Sequence, residues 1–351
     1  PQPFPTMSNV ENILHTRTNA EITIHEHGAN IMSFKPVVSE KEEINDEREV
    51  LFVSRESKAF PITGGIPIQF PIVTPFGPKD EMPEGGFLQH NNWHLDEDYK
   101  YDAKSDAAVQ YSLPFDNVTN ARGHGLWAAA EPGMVAYQAD CVYNVKVCGP
   151  KMTAILSITN ISRSRANTFP FQLLFHTYFK VANEDAMDPD ECFVKGLEGY
   201  LRQDKADEDN KLVEEQSDEP VVLNTKGETH YCFEPKGHMS PGLDVIIGIG
   251  EGRSLQMTAT CKVDDTELPV SCVVWNPHRK KASAMPSFGS AEWQEVIGVQ
   301  PGILERQMLQ PQQQIVFEYS IKLLAEDGGK ETWQRPSMML AGQTGPLITE
   351  D

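Results

Sequence analysis

The chain is short of basic residues. Thirty Lys and Arg stand against 51 Asp and Glu, for a formal charge of −21. A surface of that sign repels polyanions, so nucleic acid and bare anionic lipid are excluded as expected partners, and the acidity suits a basic protein partner or plain solubility. Long apolar runs are missing as well: none approaches the ~20 residues that a helix needs to cross a bilayer. Any membrane association is therefore expected to be peripheral, through partners. Cysteine is sparse, with residues at 141, 148, 192, 232, 261 and 272, no CxxC and no zinc-type Cys/His spacing. These read as reduced core thiols of an intracellular compartment, with an encounter of Cys141 and Cys148 across a hairpin left open. Without a glycine-rich nucleotide fingerprint or an iron–sulfur cysteine run, no cofactor is expected. Helical periodicity is nearly absent too, and only 290–296 suggests a short helix. The first residue is Pro1 rather than Met, which is the expected mark of a processed start after a removed targeting peptide.

What is present is alternation. Ala154, Leu156 and Ile158 alternate with Thr153, Ser157 and Thr159, and Ile315, Phe317, Tyr319, Ile321 and Leu323 alternate with Glu318, Ser320 and Lys322. A period of two marks a half-buried strand. Residues 135–147 and 151–162 flank Gly149-Pro150 and predict an antiparallel hairpin. Further strands are expected at 20–26, 30–35, 50–53, 107–113, 170–176, 243–249, 253–259 and 270–275. Many strands with short polar breaks predict one large all-β domain, a sandwich or barrel, over 20–325. An N-terminal extension, 1–19, is expected before it. After it, 326–351 is expected to be an arm whose Trp333, Met338, Met339 and Leu340 suit a partner's surface. The acidic stretches 183–191 and 203–220 read as solvated loops.

Several segments, in order, resemble one known family. They are Gly28-Ala29-Asn30-Ile31-Met32-Ser33-Phe34, Leu51-Phe52-Val53-Ser54, Gly64-Gly65-Ile66-Pro67-Ile68-Gln69-Phe70-Pro71, Gly86-Phe87 followed by Trp93, Phe175-His176-Thr177-Tyr178-Phe179, Gly196-Leu197-Glu198-Gly199 followed by Asp204-Lys205, Val274-Trp275-Asn276-Pro277, and Val299-Gln300-Pro301-Gly302. Together they resemble the glucose-6-phosphate 1-epimerase branch of the galactose mutarotase-like superfamily. The resemblance implies that family's β-supersandwich. It also implies its chemistry: a Glu takes the proton of the anomeric hydroxyl, a His protonates the ring oxygen, and arginines hold the sugar phosphate.

Against those roles the chain departs repeatedly. His176 stands at the position of the acid. Gln300 stands where the base is expected, and an amide is no proton acceptor near neutral pH. Thr63 and Gln89 stand where the family has arginines, and Gly85 where it has a His; His230, in Glu228-Thr229-His230, occupies a position where an Asp is expected. Guanidinium forks bind phosphate through paired hydrogen bonds, each worth about 1.5–3 kcal/mol. These losses predict a degenerate, non-catalytic relative with no small-molecule substrate, no cofactor-binding residues and vestigial positions only. A hydrogen-bonding role in a strand is the bland reading of His176. His90, His94 and Asp96 are close in sequence, but with no fourth ligand evident no metal is expected.

Asn12-Ile13-Leu14-His15-Thr16-Arg17-Thr18-Asn19-Ala20-Glu21-Ile22 and the segment from Ile62 to Pro71 further resemble mutarotase-like subunits of the chloroplast NADH dehydrogenase-like (NDH) complex. That resemblance implies a structural subunit on the stromal side of the thylakoid membrane, contacting other NDH subunits, mainly of subcomplex B, and supporting photosystem I cyclic electron flow. Two alternatives stand beside it. One is a hexose-6-phosphate 1-epimerase with its base relocated to Glu292 or Glu295. The other is a carbohydrate-binding module using Trp93, Trp275, Asn276 and Gln89.

Overall fold

Alternating side chains become β-strands nearly throughout. A computed structural model describes residues 10–15, 17–39, 46–73, 83–99, 107–114, 138–163, 165–182, 184–206, 212–237 and 239–325. Its strands are β1 (Val10–His15), β2 (Ala20–His25), β3 (Asn30–Lys35), β4 (Ile68–Gln69), β5 (His94–Leu95), β6 (Ala107–Pro114), β7 (Ala139–Cys148), β8 (Lys151–Asn160), β9 (Phe169–Phe175), β10 (Tyr178–Lys180), β11 (Val194–Lys195), β12 (Leu201–Asp204), β13 (Val213–Glu215), β14 (Thr229–Glu234), β15 (Leu243–Gly248), β16 (Ser254–Val263), β17 (Thr266–Leu268), β18 (Ser271–Asn276), β19 (Val296–Leu309) and β20 (Gln314–Leu323). One sheet runs β11-β15-β16-β20-β8-β7-β6-β5, with β17 on β16; a second runs β13-β12-β14-β18-β19-β9-β4, with β10 on β19; a third is β1-β2-β3. The all-β sandwich expected from the alternation is what forms.

The two large sheets share one core. From β20, Ile315, Phe317, Tyr319 and Ile321 are fully buried, and from β9 so are Phe169, Phe171, Leu173 and Phe175. Phe175 stacks on Phe317 with ring centroids 4.9 Å apart, and Thr177 Oγ1 lies 2.9 Å from the Tyr319 hydroxyl. Each large aromatic side chain removes roughly 150–250 Å² from water. The β7–β8 hairpin forms where expected and turns at Gly149-Pro150, where Gly149 takes φ +54°.

Some expectations change. Cys141 and Cys148 lie on one strand, paired with Ile158 and Lys151, so they do not face each other across the hairpin. All six cysteines are free thiols and five are buried. Residues 10–15, expected within an N-terminal extension, form β1 and pair with β2 from Val10↔His25 to His15↔Ala20. Only Ile13 of β1 packs on the core, so its sequence carries little alternation. The expected strand at 50–53 is reduced to isolated bridges, Leu51 to Phe179 and Val53 to Gly64. Residues Glu292–Glu295 make a 3-10 turn rather than an α-helix, and the short helix α1 (His278–Ala282) was not anticipated. Strand β13 falls inside the acidic stretch expected to be a loop. The arm at 326–351 lies outside the described residues. Among the described residues no helix is long and apolar enough to cross a membrane.

Because Phe317 meets Phe175 well away from the open face of the second sheet, Phe317→Ala should leave a cavity. Urea denaturation is expected to show a loss of about 3–5 kcal/mol.

Candidate functional site

The second sheet has one face in the core and the other toward a cleft, and the two faces do different work. On β9, Phe171, Leu173 and Phe175 enter the shared core, while Gln172, Leu174 and His176 just past the strand face the other way. On β18, Cys272 and Val274 enter the core, while Val273 and Trp275 face outward. On β14, Phe233 is core, and His230, Cys232 and Glu234 are outward. On β19, Ile297 and Val299 are core and Gln300 is outward. Cross-strand register aligns these outward groups into rows: Cys232 opposes Val273, which opposes Gln300, and His230 opposes Trp275. The rows floor a cleft of about 630 Å³, rimmed by Pro61, Ile62, Thr63, Glu84, Gln89, His90, Lys205, Lys281 and Met285.

His176 sits at the centre. Its backbone N–H donates to the Pro67 carbonyl at 2.9 Å, and its ring stacks on Tyr178 with centroids 4.7 Å apart and meets the edge of Trp275 at 6.1 Å. Its Nδ1 lies 2.8 Å from Gln69 Nε2. Burial drives its pKa down to about 3, with the nearby His230 adding to the fall. His230 is also held below its ordinary value, first by burial, with Glu228 opposing the shift. Both imidazoles are thus neutral at pH 7. Lys281 pairs with Glu228 at 2.5 Å, and the His230 Nδ1 is 3.9 Å from the same carboxylate oxygen.

The other positions singled out in the sequence divide clearly. Gln300 lines the cleft at 2% exposure, and its Nε2 is buried without a hydrogen-bond partner. Thr63 is on the rim, with Oγ1 2.7 Å from Ser287 Oγ. Gln89 donates from Nε2 to the Glu84 carbonyl at 2.7 Å. Gly85 has φ +71°, and a Cβ there would lie 2.3 Å from Gln89 Nε2 and 2.9 Å from Gln69 Cγ. Its bare backbone is what lets both glutamine side chains occupy this wall.

Four candidates are structural. Trp93 is buried in the core and donates from its indole to the Leu88 carbonyl. Asn276 Nδ2 donates to the carbonyls of Trp293 and Val296. Glu292 accepts from Ser54 Oγ, Arg55 N and Gly289 N, and Glu295 pairs with Arg55, so neither carboxylate reaches the cleft as a relocated base. His90 ends a 3-10 turn, His94 stands in β5, and Asp96 accepts from Gln110 Nε2. The three do not stand on one side of a single strand. Among the described residues no group of three or more His, Cys, Asp or Glu is placed to hold a metal ion.

Gln69, Tyr178, Lys205, Lys281, Glu84 and Glu234 were not singled out, although all line the cleft. Strand parity would have found Glu234 from His230, since both stand on the same face of β14. Nothing in the sequence points to Glu84 or Lys281, which arrive from loop and helix.

The fold and site define a β-sandwich whose second sheet floors an open cleft, with a histidine among aromatic rings. The aldose 1-epimerase profile matches residues 12–322, and the chain belongs to that family. A curated relative, "Putative glucose-6-phosphate 1-epimerase" from Cenchrus ciliaris, is 28% identical over 322 residues, covering 87% of this chain and 83% of the relative. Among solved structures, the Slr1438 protein of Synechocystis sp. PCC 6803 superposes with a TM-score of 0.63 at 14% identity, covering 92% of this chain and 98% of that one. A galactose mutarotase related enzyme from Lactobacillus acidophilus gives 0.59 at 14% identity, covering 90% and 98%. At these identities the structures show the shared fold. Membership of an epimerase family, with a relative bearing an epimerase name, overturns the expectation of a degenerate, non-catalytic chain. The physical reason lies in the cleft, which keeps titratable groups (His176, His230, Glu84 and Glu234) although position 300 is an amide.

The depressed His176 pKa makes a testable prediction. A histidine of ordinary pKa 6.5 when unfolded and about 3 when folded takes up its proton earlier in the unfolded state. Its contribution to stability is full above pH 6.5 and is lost as pH falls toward 3, at up to about 1.4 kcal/mol per pH unit. His176→Gln should therefore flatten the fall in urea midpoint between pH 6.5 and 4.5.

Proposed function

We propose that this protein binds an aldohexose, or its 6-phosphate, in the cleft and interconverts its anomers. The observation that carries the reading is the pair of neutral imidazoles, His176 and His230, in one cleft floored by Trp275 and Tyr178. The apolar face of a pyranose suits an aromatic wall, and its hydroxyls suit the amides of Gln69, Gln89 and Gln300. Lys205 and Lys281 bring ammonium groups to the β14 end, where they would meet a phosphate as point charges rather than forks.

In this reading His230 accepts the proton of the anomeric hydroxyl. A carbonyl forms at C1 as the bond from C1 to the ring oxygen breaks. The ring oxygen takes the electron pair, is held by a hydrogen bond from His176, and receives a proton from water in the cleft. C1 rotates and the ring closes on its other face: the ring oxygen gives its proton back to the water that supplied it as it bonds to C1, and O1 recovers the proton held by His230. A neutral imidazole can act in this way as a hydrogen-bonding electrophile. General acid–base assistance of this kind contributes about 10² to 10⁴ in rate.

Two-dimensional exchange NMR of the anomeric protons of glucose and glucose 6-phosphate tests it. Acceleration is expected with the wild-type chain and should fall by about 10² or more in His230→Gln, with folding checked by circular dichroism. If the folded wild-type protein leaves both sugars at their uncatalysed rate, the reading is wrong.

A second reading concerns partners and location, and we infer it from residue resemblance: the chain attaches to other subunits of the chloroplast NDH complex, mainly subcomplex B, on the stromal side of the thylakoid membrane. Residues 12–22 and 62–71 support it; of the first set, 12–15 lie on β1, where Leu14 is 43% exposed, and 20–22 lie on β2. Gentle affinity purification from chloroplasts should recover NDH subunits with the protein. Recovery of the protein alone, from membranes whose NDH complex is intact, would count against it.

A further inference from the structure

Among the described residues, it is the Gln69 side chain that meets a ring nitrogen of His176, with Nε2 2.8 Å from Nδ1. It stands on β4, whose Ile68 and Gln69 pair with Phe175 and Leu174 of β9, so the backbone that carries the amide is tied to the strand leading into His176. Gln69 is 8% exposed. Its Cγ and Cδ lie 2.9 and 3.1 Å from where a Cβ on Gly85 would be, so the amide fills space that a side chain at 85 would take.

An amide –NH₂ only donates. If it donates to Nδ1, that nitrogen presents a lone pair, and the single proton of the neutral ring is on Nε2. The ring cannot readily turn over, since Tyr178 covers one face and Trp275 abuts it edge-on. We infer that Gln69 is a positioning residue that fixes the His176 proton on Nε2, so that the imidazole offers the cleft a donor and selects an acceptor atom, such as a ring ether oxygen, in whatever binds there.

The tautomer follows from the placement of the amide with Nε2 toward Nδ1, and its use on a sugar rests on the activity proposed above. Low basicity reinforces the assignment. With its pKa near 3, the ring stays singly protonated across the physiological range, so the donor does not depend on pH. A carboxylate at position 69 would reverse the arrangement. It accepts from Nδ1–H, leaves Nε2 as an acceptor, and favours the charged ring.

Nitrogen-15 NMR of the full chain labelled at histidine tests this, with the His176 signals assigned by their disappearance in His176→Gln. Wild type is expected to show a protonated Nε2 and a bare Nδ1. Gln69→Glu should move the proton to Nδ1 and raise the titration midpoint of the ring. Gln69→Met, which keeps volume but removes the donor, should give a mixture of tautomers, and serves if the Glu variant fails to fold. Either change is expected to weaken hexose binding by about tenfold, the equivalent of one buried hydrogen bond. A proton on Nδ1 in the wild type, or a His176 spectrum unchanged in both variants, overturns the inference. A protonated Nε2 in a chain that accelerates no sugar exchange keeps the tautomer assignment and removes the proposed activity instead.

Discussion

The molecule depends on a single sheet that has no face to spare. Because side chains alternate along a strand, the groups with which this sheet floors the cleft stand back to back with groups in the core. His176 follows Phe175, Trp275 follows Val274, and Gln300 follows Val299. A one-residue slip would exchange each pair: at the end of β9 it would send Phe175 into the cleft and the His176 imidazole into the core, and in β19 it would put the Gln300 amide there. The aromatic packing of Phe175 on Phe317 is therefore also what holds His176 in register. Core stability and site geometry are the same constraint seen from two sides.

The second property of the cleft is that its middle is uncharged. Gln69, Gln89 and Gln300 are amides, and the two imidazoles are held neutral by burial. Formal charges stand at Lys205, Glu84, Glu234 and the Lys281–Glu228 pair. A carboxylate at position 300, only 2% exposed there, would be unfavourable without a cation to balance it. Gln300, Gln89 and Thr63 line this cleft as uncharged polar groups, and their joint appearance does not by itself mean that the site has decayed. The same set of exchanges, read along the sequence without the fold, looks like loss.

How much of this was legible follows from what alternation can and cannot encode. The hairpin over β7 and β8 and the strand β20 could be read directly, because each has a polar face and an apolar one. Strand β1 could not, because it packs only Ile13 on the core and its remaining side chains give no period. Cys141 and Cys148 were open to misreading because both sit near one turn, and only the strand boundary at Cys148 decides that they share a strand. His176 was legible through its motif, while Gln69 lay in full view within Gly64-Gly65-Ile66-Pro67-Ile68-Gln69. Its role depends on β4 pairing with β9 across more than a hundred residues, and no local pattern carries that.

The wall formed by Gly85, Gln69 and Gln89 shows why these exchanges have to be read as a unit. A histidine at 85 would need its Cβ where it meets the Gln89 amide at 2.3 Å and the Gln69 chain at 2.9 Å. It would also need to adopt φ +71°, a conformation that β-carbon-bearing residues resist. Restoring the residue expected at 85 without altering 69 and 89 would therefore push the Gln69 amide off His176 Nδ1. The three positions are coupled through volume, and the imidazole tautomer is coupled to them through one hydrogen bond. The chemistry available to His176 is in this sense set by a glycine that never touches it.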